Sequence, residues 1–140
     1  MKLKFIMLLT SMLAYSPIVY AQTDQSQLSA SQLVVENQIK AFHQREHEEA
    51  FNYAAPALQI VFRDVENFIR MVKRGYNPIY AAQHWSFGRS RTEGKKTHHE
   101  VLISGPNGGE WTALYSLKKQ ADGMWKIVGV QLLKSTGKST

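Results

Sequence analysis

The sequence predicts an α+β fold, with three N-terminal helices packed in a curved four-stranded antiparallel meander. Two observations carry this reading. Apolar residues recur at helical spacing as far as Gly75, and from Asn77 onward they recur in β-rich runs separated by glycine-centred turns. A third observation sets the energetics. The chain has 140 residues, 44% of them hydrophobic, and no cysteine, so no disulfide, thiolate metal site or cysteine nucleophile exists and a hydrophobic core must hold the fold.

The first helix is marked by Ser29 to Gln32, which has the S-x-x-Q form of a capping box. Leu28, Val35, Ile39, Phe42 and Glu46 then follow one helical stripe, apolar until its last member, which carries the helix to about Arg45. A second, short helix over Glu48 to Ala54 must stop because Ala55 precedes Pro56. Ala57 to Phe62 is apolar without a clear period and reads as strand or buried coil. The third helix has Asp64 at its N-cap, Glu66 in its first turn, and a Val65, Phe68, Ile69, Val72 face. Lys73 and Arg74 close it, and Gly75 supplies the left-handed stop.

Four strands are expected over Ile79 to Phe87, His98 to Ser104, Glu110 to Lys118 and Met124 to Lys134. Glu93-Gly94, Asn107-Gly108-Gly109 and Asp122-Gly123 join them, since such pairs tolerate the positive φ of tight hairpins. In the third strand Trp111, Ala113, Tyr115 and Leu117 share a face. In the fourth, strict alternation groups Trp125, Ile127, Gly129 and Leu133 against Lys126, Val128, Val130 and Lys134. One side is thus apolar and the other half-apolar, which suits helices inside the curve and leaves room for a partner outside.

The termini read as addresses and tails. Lys2 and Lys4 precede the apolar run Phe5 to Ala14, Pro17 breaks it, and Val19-Tyr20-Ala21 fits a signal-peptidase site. Residues 1–21 are therefore expected as a signal peptide cleaved after Ala21, with export to the periplasm or beyond. Thr10, Ser11, Ser16 and Pro17 leave the run short of the roughly 20 apolar residues that span a bilayer, so no integral membrane segment is expected after cleavage. Residues 22–28 read as a flexible leader, 29–134 as a single α+β cone domain, and 135–140 as a polar tail. Charge is uneven. Gln22 to Arg74 carries six basic and seven acidic residues, and Gly75 to Thr140 nine and four. Arg89, Arg91, Lys95 and Lys96 read as a solvated hairpin tip that blocks edge-to-edge aggregation, with anionic lipid or envelope polymer as the functional alternative; nucleic acid is not an expected partner of an exported chain.

Helices followed by a long curved antiparallel sheet resemble the nuclear transport factor 2-like superfamily, the cystatin-like cone. Gln38-Ile39-Lys40-Ala41-Phe42 and Ala50-Phe51-Asn52-Tyr53-Ala54-Ala55-Pro56 are similar to strings of a bacterial family of exported proteins, the "domain of unknown function 4864" family. So are Phe68-Ile69-Arg70-Met71-Val72-Lys73-Arg74-Gly75-Tyr76-Asn77-Pro78 and Asp122-Gly123-Met124-Trp125-Lys126-Ile127-Val128-Gly129. The likeness covers about residues 35 to 133. It implies a cone fold but brings no activity with it.

Motifs of catalysis are weak. His43-Gln44-Arg45-Glu46-His47 is a literal H-x-x-E-H, but it falls where the first helix ends, in a polar stretch, and reads as coincidence, so no metal site is expected. Gly137-Lys138-Ser139-Thr140 copies the end of a phosphate-binding loop with no helix to follow, and no other cofactor motif is present. His98 and His99 should point to opposite faces of their strand. No serine has an evident His and Asp pair. Enzymes of the cone superfamily use Asp or His in the pocket, yet Asp24, Asp64 and Asp122 fall in the leader, a cap and a turn. His84, alternating with Trp85, is the one weak candidate for a base.

What remains is an aromatic interior, with Phe51, Tyr53, Phe68, Tyr76, Trp111, Tyr115 and Trp125 as pocket candidates. The expected function is non-enzymatic binding of a small apolar or amphipathic ligand in the cone. The alternatives are a homodimer or interaction module on the outer sheet face around Leu114, Val128 and Val130, and an isomerase or lyase using His84 with a tyrosine.

Overall fold

A computed structural model describes residues 19–136, with side chains from residue 28 onward. Most of the expected signal peptide (1–18) and the last four residues (137–140) lie outside the described residues. The order is α1 (Val19–Gln44), α2 (His47–Asn52), α3 (Pro56–Phe62), α4 (Val65–Gly75), α5 (Asn77–Tyr80), β1 (His84–Glu93), β2 (Lys96–Ser104), β3 (Glu110–Lys119) and β4 (Trp125–Lys134). The strands form one antiparallel sheet in sequence order, the meander that the three turns predict. Gly94, Asn107, Gly108 and Gly123 all take the positive φ those turns require. No helix among the described residues is long and apolar enough to cross a membrane.

Several boundaries differ from the sequence reading; Gly75, expected as a left-handed stop, has no positive φ and is the last residue of α4, which ends at Tyr76 with φ −134. α1 starts at Val19 rather than Ser29, so residues 22–28, expected as leader, are helical; that stretch has no Gly or Pro to stop a helix. Residues 57–62, expected as strand or coil, form α3, because Pro56 at its first turn presets helical φ. Pro78 does the same at α5, so the first strand begins at His84, not Ile79, and runs on to Glu93. Its polar second half, Gly88 to Arg91, hid it from an apolar-run criterion.

The core lies between the helices and the concave sheet face. α1 contributes Val35, Ile39, Ala41 and Phe42, and α4 contributes Phe68, Ile69 and Val72. The sheet answers with Val101 and Ile103, then Ala113, Tyr115 and Leu117, then Trp125 and Ile127. Beyond Ile127 the fourth strand departs from strict alternation. Leu117 pairs Ile127, Ser116 pairs Gly129 and Tyr115 pairs Val130, so Val128 is an extra residue, a β-bulge. Because paired residues share a face, the bulge turns Val130 and Leu132 inward and leaves Leu133, expected inside, 44% exposed. The free edge of β4 is partly covered. Ile127 N donates to Tyr53 O at 2.9 Å and Ala55 N to Ile127 O at 2.8 Å.

Candidate functional site

A half-open cavity of about 230 Å³ lies between α1, α3, α4 and the inner face of β3 and β4. α1 lends Gln38 and Phe42, one turn apart on the stripe that faces the sheet. α3 lends Leu58 and Phe62, and α4 lends Phe68, Met71 and Val72, its i, i+3, i+4 face. Ala54, Tyr76 and Ile79 come from the connections around them, and Tyr115, Ile127, Gly129 and Val130 from the sheet. The bulge matters here, since without it Val130 would face away.

None of these lining residues carries a formal charge, and only Gln38, Tyr76 and Tyr115 have polar side chains. Gln38 donates its amide to the Ala50 carbonyl at 3.0 Å. Tyr76 donates its hydroxyl to the Val130 carbonyl at 3.1 Å, capping the edge of β4 where the cavity meets it. Tyr115 is different. Its ring is buried, and its hydroxyl has no hydrogen-bond partner among the described residues. Desolvation pushes its ionisation far above the ordinary tyrosine range, so it stays a neutral O–H donor. A buried phenol without a partner costs about 1–3 kcal/mol, which an acceptor brought within reach by a turn of the ring would recover.

Of the seven aromatic candidates, the cavity brings together Phe68, Tyr76 and Tyr115. Phe51 stands behind Phe68, with ring centroids 5.1 Å apart. Tyr53 donates to Glu49 Oε1 at 3.0 Å, outside the lining. Trp111 packs beside Gly105 and Gly109 at the far end of the sheet, with Lys134 Nζ 5.9 Å from its ring. Trp125 is buried near the other end. Phe42, Met71 and Val72 line the cavity without having been singled out as pocket residues, and Phe62, one more ring of the expected aromatic interior, joins them. Their helical spacing marked Phe42 and Val72 as inward-facing, but spacing cannot distinguish a filled interior from a hollow one.

The histidines are dispersed. His84 is exposed at the start of β1, and Trp85 beside it packs against the core. The H-x-x-E-H string is split by Arg45, which takes φ 60 and closes α1 in a Schellman motif, with Glu46 N bonded to Ala41 O at 2.9 Å and Arg45 N to Phe42 O at 3.1 Å. His43 then lies 6.3 Å from the Trp85 ring, while His47 pairs with the Tyr80 hydroxyl at 2.9 Å. His98 and His99 do face opposite ways. His98 meets Ser116 on the convex side at 2.9 Å.

His99 forms a contact that the sequence did not suggest. Ser31 donates to the Leu28 carbonyl at 3.0 Å, so its oxygen accepts from His99 Nε2 at 2.7 Å, which fixes the neutral Nε2–H tautomer. Nδ1 then accepts from Ser90 Oγ at 2.6 Å. Burial, and secondarily the neighbouring His98, lower the His99 pKa to about 4. This is a serine–histidine pair with a second serine where a triad has a carboxylate. Both Ser31 and His99 are fully buried and neither lines the cavity described above, so the relay clamps α1 to β1 and β2.

A family model described as a domain of unknown function (DUF4864) matches residues 21–140. The chain belongs to this family. No curated protein and no solved structure is found to match it. The DUF4864 match spans every element that builds the cavity, from α1 to β4. It extends past both ends of the stretch, about 35 to 133, on which the resemblance rested. What this DUF4864 domain offers chemically is an uncharged, apolar recess, with one unpartnered hydroxyl buried behind its wall.

Proposed function

We infer that the domain binds a small, uncharged, mainly apolar molecule carrying one hydrogen-bond acceptor, which docks on the Tyr115 hydroxyl. The observation that carries this is the uncharged, apolar cavity that Tyr115 lines, with the unpartnered Tyr115 hydroxyl buried just beneath its wall, so that a small turn of the ring presents it to a guest. An uncharged lining disfavours ionic guests, because nothing there would repay their desolvation. A 150 Å³ apolar cavity admits benzene, so 230 Å³ has room for about nine non-hydrogen atoms by proportion. Binding, not catalysis, is favoured because the lining presents no carboxylate, histidine or lysine to move a proton.

The matched pair acetophenone and α-methylstyrene tests this, since they share size and shape and differ in a C=O for a C=CH₂. The ketone should bind about tenfold tighter, and Tyr115→Phe should abolish that preference. Equal binding of the two by the unmodified protein would contradict the reading.

The helix-then-meander order supports placing the domain in the nuclear transport factor 2-like superfamily, whose cone suits an enclosed guest. Export through cleavage after Ala21 belongs to the same proposal, motivated by Lys2, Lys4 and the Phe5 to Ala14 run. N-terminal sequencing of the chain recovered from a bacterial envelope fraction should begin at Gln22; an intact Met1 there would refute it.

A further inference from the structure

The strongest charge feature lies across the sheet from the cavity. Lys96 and Lys118 are register partners, and so are Lys118 and Lys126, so three lysines stand side by side on adjacent strands. Thr97, Leu117 and Ile127 beside them are buried on the concave side, which puts the lysine row on the convex one. Like charges facing each other across strands are unfavourable unless an anion spans them. Among the described residues no carboxylate forms an ion pair with any of the three; Lys126 instead donates to the Asn52 carbonyl. On β1 the register partner of Lys96 is Glu93, whose carboxylate pairs with Arg91, so the row runs from that acid into three lysines and keeps a net positive charge. The sequence showed only the β1–β2 tip residues as a cluster. The register adds Lys118 and Lys126 from more than twenty residues away.

A second observation selects the partner. Met124, two residues before Lys126 on the β3–β4 hairpin, is 56% exposed. An exposed thioether beside a lysine row suits a bilayer interface, where the apolar tip enters the headgroup boundary and the ammonium groups meet anionic headgroups. We propose that the convex hairpin end, Lys96, Lys118 and Lys126 with Met124, docks on a membrane surface rich in anionic phospholipid. This surface is independent of the cavity.

The full chain is sedimented with phosphatidylglycerol–phosphatidylcholine vesicles and with pure phosphatidylcholine vesicles at about 0.1 M salt, where charges screen over ~10 Å. The apolar run near the N-terminus, with Lys2 and Lys4 before it, is the same in the parent and every variant, so the comparison of variants on anionic vesicles isolates the hairpin end. The anionic vesicles should bind much more strongly. Each lysine near the surface is worth about fivefold, so Lys96→Gln with Lys118→Gln should weaken binding about 30-fold, and Met124→Ser severalfold, with no loss of melting temperature in either. Equal binding to the two vesicle types overturns the proposal, as does a double variant that binds like the parent. So does an unaffected Met124→Ser variant, or tighter retention of single-stranded DNA than of vesicles.

Discussion

At Tyr115 folding has taken a phenol O–H out of water and given it nothing in return, a debt of about 1–3 kcal/mol against a total stability of only 5–15. Tyr115→Phe should therefore raise the melting temperature of the guest-free protein by a few degrees while weakening guest binding, and calorimetry with and without acetophenone reads both. His99 makes a prediction of opposite character, because burial, and secondarily the neighbouring His98, disfavour its charged form. Its pKa lies near 4 folded and near 6.5 unfolded, so below pH 6.5 the unfolded chain takes up a proton that the folded one refuses. Stability should fall as pH drops from about 6.5 to 4, at up to ~1.4 kcal/mol per unit from this residue, then level off; urea titrations at pH 7 and 5 measure it. Tyr115 was legible in the sequence through the inward alternation of β3. The idle state of its hydroxyl was not, since that depends on α1 and α4 failing to supply an acceptor. Nor was the Ser31–His99 bond, which joins residues 68 positions apart.

The helices owe their ends to local chemistry, and two of those ends are strained. Arg45 takes φ 60 and Arg63 takes φ 72, the left-handed region where a Cβ is crowded. Arg45→Gly should stabilise the protein by about 0.5–1 kcal/mol in a denaturant titration, a gain that a merely permissive loop would not give. Asp64 is conventional by comparison: its carboxylate accepts from Asn67 N at 2.8 Å, as the N-cap pattern foretold. In β4 the pattern misled past Val128, because a period of two assumes that no residue is inserted. The bulge makes a sharp contrast testable. Leu132→Asp should cost about 2 kcal/mol or more, whereas Leu133→Asp, on the exposed side, should stay within ~0.5 kcal/mol. Strict alternation predicts the reverse.

Across the whole molecule, the two periodicities suffice for the architecture. A meander in sequence order needs only tight turns between neighbours, and the glycines and Asn107 provide them, so the sheet was readable without any long-range information. The hollow beneath it was not readable, because it is a mismatch of volumes between α1, α3, α4 and the sheet, and every residue bounding it has the same apolar character as a residue that packs solidly. The two faces differ in character, an apolar recess on the concave side and a cationic, methionine-tipped end on the convex one. The measurement that tests the central claim most directly is a set of intermolecular NOEs from the acetophenone methyl group to the methyls of the protein. Contacts to Val72, Ile127 and Val130 are the predicted result; contacts only to Leu102, Leu114 and Leu133 on the convex face, or none at saturating ketone, would contradict it.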